Sequence, residues 1–242
     1  MGICFKNAVI ITMDVEQRII TDAALVIKEG RIAYIGDLSN LPEEYKDYQS
    51  IDIRGKVVFP GFVNLHTHAA LSILRGIGDD MGIAPAYAPD VPQGVFLSPH
   101  EAYVLSLLGG VEAVKFGTTC IVDNYVHENE AAKAFVELGM RAFVSERLHD
   151  ADLLKVPQNI YEFSAQIGDS CLNKGIELIE KWHGTSNMRI QSRIGPHAPD
   201  TCSTHYLEKI RIVAEDKKVG LVMHVAQSKR ESDGKPNSRS RG

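Results

Sequence analysis

The sequence predicts an α/β protein, on three observations. Apolar, β-rich segments alternate with helical segments from Gly61 onward. A glycine closes each clear helix before the next strand, at Gly117, Gly139 and Gly220. Before Gly61 the pattern differs: short Ile- and Val-rich runs are separated by turn residues and no helix interrupts them.

The first segments are expected at 8–13 (AVIITM), 24–28 (ALVIK) and 31–36 (RIAYIG), with Glu29-Gly30 as a hairpin turn. Residues 51–53 and 57–59 extend this part, which reads as a small antiparallel β unit ending near Phe59. A short strand follows at 62–65. Ser98, Pro99 and Glu101 then open a helix, as cap, first helical residue and capping-box partner, running to Lys115. Strand 118–123, helix 128–138, strand 141–145, a less regular helical stretch at 171–183, strand 188–194, helix 204–218 and strand 221–225 complete the pattern. Strands joined by helices imply a parallel sheet. Five of them fit an open doubly wound sheet or a partial barrel, and periodicity does not choose between these. Residues 232–242 (SDGKPNSRSRG) are polar and aperiodic and read as a disordered or non-native tail.

Composition narrows the function. The 242 residues are 44% hydrophobic with a formal net charge of -5, so the chain is globular, and its charge favours neither nucleic acid nor an anionic membrane as partner. Cys4, Cys120, Cys171 and Cys202 form no CxxC pair. They read as reduced thiols. With no basic region and long apolar run at the N-terminus, they predict a cytoplasmic protein. Homo-oligomerisation is left open.

The sharpest chemical signal is PGFVNLHTH at 60–68. His66 and His68 are two apart at the end of a strand, so their imidazoles share a face and can bind one metal ion together. His224, in the segment 221–225, stands at another strand end and is a candidate third ligand. His197 follows the fourth strand in GPHAPDTCS at 195–203, where two prolines fix the loop; it could serve metal, substrate or a helix cap. Asp123 is as suited to capping as to chemistry. Glu146, Arg147, His149 and Asp150 read by default as a solvated loop. His127, His183 and His205 lie in helices or at their ends and need no role.

At these residues the chain resembles the amidohydrolase superfamily, in the branch of S-adenosylhomocysteine/methylthioadenosine deaminases, cytosine and guanine deaminases and triazine hydrolases. PGFVNLHTH matches that family's first-strand signature, GPHAPDTCS its loop after strand four, and HVAQ at 224–227 its strand-five element. The resemblance implies a (β/α)8 TIM-type barrel, here truncated after about five strands, with a small β-sandwich. It divides the chain into a composite β-sandwich part at 1–59, a partial barrel at 60–231 and the tail at 232–242. It implies His66, His68 and His224 as ligands of one divalent ion, zinc or iron, and His197 as a substrate-contacting residue. The ion would activate water against a small heterocyclic substrate. Gln227 takes the catalytic position, where the family usually carries a glutamate that shuttles a proton; an amide donates hydrogen bonds but exchanges no proton at neutral pH. Asp200 stands where the family's loop commonly has tyrosine. The family's further histidine and metal-binding aspartate belong to later strands. The implied activity is hydrolytic deamination, or loss of another substituent, from an amino-substituted N-heterocycle or nucleoside; the alternative is a truncated, non-catalytic metal-binding remnant.

Overall fold

The computed structural model describes residues 2–77 and 96–227. The chain divides into two units, Met1–Gly61 and Phe62–Gly242.

The first unit is a five-stranded sheet. Strands β1 (Gly2–Ile11), β2 (Ile19–Lys28), β3 (Arg31–Asp37) and β4 (Gln49–Asp52) lie in the order β3-β2-β1-β4, and β5 (Val57–Val58) also pairs with β1. Glu29 and Gly30 have φ of 52° and 73°, so both central turn residues are left-handed, as a tight hairpin requires. Only part of the sheet is antiparallel. β1 and β2 pair antiparallel, as do β2 and β3, but β4 and β5 run parallel to β1. The expectation of a wholly antiparallel unit is corrected here: the 3-10 turns at Leu38–Asn40 and Glu43–Tyr45 carry the chain across before β4 begins.

Both faces of this sheet bury apolar side chains. Cys4, Ala24, Val26 and Leu41 pack on one cluster, and Ala8, Ile10, Ala23 and Leu25 on another. Ala23 and Leu25 alternate with Ala24 and Val26 along β2, as a two-residue period demands. In β1 the pairing register shifts between Lys6 and Ala8, and Asn7 there has φ of 62°. That bulge reverses the alternation, so Phe5, Ala8 and Ile10 belong to one cluster.

The second unit alternates strand and helix. Its strands are β6 (Phe62–Thr67), β7 (Thr118–Tyr125), β8 (Arg141–Leu148), β9 (Ile190–Ser192) and β10 (Gly195–Pro196). Every pairing is parallel, in the order β10-β8-β7-β6, with β9 also on β8. Helices α1 (Pro99–Lys115), α2 (Glu128–Glu137), α3 (Ala165–Trp182) and α5 (Thr204–Lys217) form the crossovers, and the short segment α4 (Thr185–Met188) between α3 and β9 is a turn whose Ser186, Asn187 and Met188 have positive φ.

Local chemistry explains the helix starts. Ser98 accepts from the Glu101 backbone N–H, and the Glu101 carboxylate accepts from the Ser98 N–H. Ser164 and Ser203 cap α3 and α5 with the serine bond alone, their side chains accepting from the Ile167 and Tyr206 backbone N–H groups. The core joins helix faces to the sheet: Phe135 and Leu178 pack on Ile121, Val144 and Ile190, while Leu172, Tyr206 and Ile210 pack on Leu148 and Ile194.

Two sequence expectations change. The segment 221–225 is not a strand but is joined to Ile194 by one parallel bridge at Leu221. Its Val222 and His224 amides donate to Ile194 and His197 carbonyls, while Pro196 has no N–H with which to return a bond. Second, β8 runs on through Leu148, burying Glu146 and Arg147 rather than leaving them in a solvated loop. The tail at 232–242 lies outside the described residues.

Candidate metal centre

Two strand ends and one hydrogen-bonded segment converge at the C-terminal edge of the parallel sheet, where α/β folds place their sites. β6 carries His66, and His68 follows its last residue. His224 is held beside β10: its backbone N–H donates to the His197 carbonyl over 3.0 Å.

One ring nitrogen from each of His66, His68 and His224 lies within 4.8 Å of the other two. The His68 and His224 Nε2 atoms are 3.2 Å apart. Two nitrogens bound tetrahedrally to zinc at about 2.05 Å stand about 3.3 Å apart, so this spacing fits a shared ion. Protonation fits too. His224 Nδ1 lies 2.9 Å from the His197 carbonyl oxygen. A carbonyl only accepts, so Nδ1 carries the proton and Nε2 keeps a lone pair facing His68. Burial, then the neighbouring His224, His66 and Arg147, push the His68 pKa down to about 3. His68 is therefore neutral, as a metal ligand must be.

His197 is buried, and its ring centroid is 5.3 Å from that of His224. Its Nδ1 meets Thr201 Oγ1 at 2.7 Å, and that hydroxyl donates onward to the Ala198 carbonyl. The hydroxyl oxygen therefore accepts from Nδ1–H, which leaves His197 Nε2 as an acceptor. Burial, reinforced by Arg147 and by His224, His149 and His68, holds His197 well below its ordinary pKa.

Around the histidines lies a layer of buried polar groups. The Arg147 guanidinium sits 4.7 Å over the Tyr125 ring, which stands 5.1 Å from the His68 ring. Arg147 is 4% exposed, and its Nε and Nη2 find no hydrogen-bond partner among the described residues. Asp123 accepts from the Ala69 N–H and so anchors the turn after His68. Burial nevertheless raises its pKa to about 7. Glu146 accepts from the His127 and Glu128 amides, and Glu128 from the Tyr125 amide. Burial, with Asp123 and Glu146 nearby, raises Glu128 well above its ordinary value.

The structure thus brings His66, His68 and His224 together and sets His197 against them. Gln227 is solvent-exposed and three residues beyond His224. Asn124 and Tyr125 were missed by sequence reasoning. The available signal was a polar pair following an apolar run at a strand end, the position where parallel sheets present functional side chains.

An atrazine chlorohydrolase from Arthrobacter aurescens TC1, solved with zinc, superposes with a TM-score of 0.69 at 18% identity, over 92% of this chain and 52% of that one. An adenosine deaminase from Xanthomonas campestris with bound zinc gives 0.68 at 20% identity, over 92% and 48%. The fold is the metal-dependent-hydrolase barrel type. The profile of the Amidohydrolase family matches residues 57–234, and the chain belongs to that family. The 5'-deoxyadenosine deaminase of Methanosarcina acetivorans is 34% identical over 230 residues, 95% of this chain and 50% of that protein. The 5-methylthioadenosine/S-adenosylhomocysteine deaminase of Desulforudis audaxviator is 33% identical over 208 residues, 86% of this chain and 45% of that protein. The chain spans about half the length of the curated relatives it matches.

Proposed function

We propose that the protein is a metal-dependent amidohydrolase that deaminates an amino-substituted N-heterocycle or nucleoside, and that His66, His68 and His224 hold its ion. The observation that carries this reading is the convergence of three imidazole nitrogens within 4.8 Å. The names of the relatives, deaminases of 5'-deoxyadenosine and of methylthioadenosine, support the substrate class. The all-nitrogen donor set and the zinc complexes among the solved neighbours favour zinc over iron.

A divalent ion bound there supplies a Lewis acid and lowers the pKa of water to about 7. The chain's own groups supply the rest. Neutral His197 offers Nε2 as an acceptor and orients a substrate N–H or O–H. The Gln227 amide donates a hydrogen bond to a ring nitrogen without exchanging a proton. The barrel portion at 60–231 carries these residues, and 1–59 is the accompanying β-sandwich part. No helix among the described residues is long and apolar enough to cross a membrane; a cytoplasmic location and a small-molecule partner accord with this reading.

Gln227 favours a second reading, a metal-binding chain without turnover. Zinc competition titration paired with a turnover screen on adenosine derivatives, guanine, cytosine and triazines separates the two. Zinc binding with ammonia release supports deamination. Zinc binding with no product supports the second reading, and no zinc binding overturns both. Gln227→Glu restores a proton-exchanging group and is expected to raise deaminase turnover by about 100-fold or more.

A further inference from the structure

A small cavity lies beside the histidine cluster, lined by Leu65, His66, Val122, Asn124, Val222 and His224 among others, and enclosing about 20 Å³. That volume admits one water molecule. Asn124 is 4% exposed, and neither Oδ1 nor Nδ2 of its amide finds a hydrogen-bond partner among the described residues. A buried amide left without partners is destabilising, so a fold keeps one only where something else satisfies it. The apolar neighbours Val122, Leu65 and Val222 cannot do so.

The backbone makes room for this amide. A Cβ at Gly195 would stand 2.7 Å from Asn124 Oδ1 and 2.9 Å from the Glu146 carbonyl oxygen, so glycine at that position leaves room for the carboxamide and for the β8 backbone together. Ile121 packs into the helix-side core while Val122 and Asn124 line the cavity, so alternation along β7 turns Asn124 toward the histidines.

We infer that Asn124 is a positioning residue of the metal centre: its carboxamide holds one water, or one polar atom of a ligand, in the cavity against His66 and His224. This rests on the metal reading above. A carboxamide presents both a donor and an acceptor, so it can bond a water and leave that water free to bond again. Through that water it fixes the environment of two of the three rings. Groups of this kind outside the ligand set alter metal affinity by about 10–100-fold.

The test is zinc affinity by chelator competition, the visible spectrum of the cobalt-loaded chain, and thermal melting without metal, for wild type, Asn124→Leu and Asn124→Ala. Leucine nearly matches asparagine in shape and carries no polar atom. The expected result is a metal-free Asn124→Leu that melts no lower than wild type, zinc affinity lowered about 10-fold in both variants, and a shifted cobalt spectrum. Zinc affinity within twofold of wild type and an unshifted spectrum in both variants would overturn the inference while leaving the metal reading intact; lower melting with unchanged affinity has the same meaning, a structural role only. A wild-type chain that binds no zinc overturns both readings together.

Discussion

The two units bury different things. Residues 2–61 bury apolar side chains alone, with Cys4, Ala24 and Val26 on one cluster and Ala8, Ile10 and Leu25 on the other. Among the described residues, every buried polar or charged side chain lies in the second unit, including Asp123, Asn124, Glu128, Glu146, Arg147 and His197. Burying such groups is costly unless each is satisfied or used. The interior of the first unit is therefore apolar, and that of the second holds charge and dipoles beside three imidazoles.

The largest expected effect tests that division directly. His224→Ala should weaken zinc binding by about 100-fold or more, while Val26→Ala leaves it unchanged; chelator competition reads both. Equal losses would erase the distinction. Next comes the apolar support of the second unit. Phe135 is fully buried against Ile121 and Val144, and Phe135→Ala should cost about 3–5 kcal/mol in denaturant unfolding. Val26→Ala in the first unit should cost about 2 kcal/mol.

A third effect is acid sensitivity. Burial, with Arg147 alongside, pushes His149 down to about 4 from an ordinary 6.5. Between these values the unfolded chain binds a proton that the folded chain does not. Stability from this group is thus complete above pH 6.5 and declines as pH falls toward 4. His68 and His197 act in the same direction, whereas Asp123, raised to about 7, acts against them. The first unit contains no histidine. From about pH 7.5 to 4.5 the wild type should lose stability relative to His149→Phe, so that the difference between their unfolding midpoints changes steadily; parallel curves would remove His149 from the account. The smallest effect is Ser98→Ala, which removes the α1 cap and should cost about 1 kcal/mol by the same denaturant measurement.

The sequence disclosed those features whose causes are local. Ser98, Pro99 and Glu101 announce α1 because capping is settled within four residues, and the structure has that box. Glu29-Gly30 announces its turn for the same reason. The helix expected at 171–183 begins earlier, at Ala165, because Ser164 caps it; that signal is faint because Ile167 stands where a capping box needs Glu or Gln. Strand ends were less legible: β7 and β8 extend to Tyr125 and Leu148, through polar residues that lone propensity assigns to loops. Those residues are strand because neighbouring strands pair with them, which is tertiary information. The parallel pairing of β4 with β1 was hidden for the same reason. Within the site, the spacing of His66 and His68 was legible, being two residues on one strand. The enclosure of Asn124 and Arg147 was not, since it depends on Gly195 and Tyr125 arriving from distant positions.

Helix α2 starts in an unusual way. His127, before its first turn, has φ of 59° and supplies no capping side chain; instead Glu146, from the end of β8, receives the His127 and Glu128 amides over 3.3 and 3.0 Å. A helix whose first turn is closed by another strand cannot finish until that strand arrives. Slow exchange of those two amide protons would accordingly be acquired in a single event with β8, making them a reporter, at two nuclei, of the moment the sheet assembles.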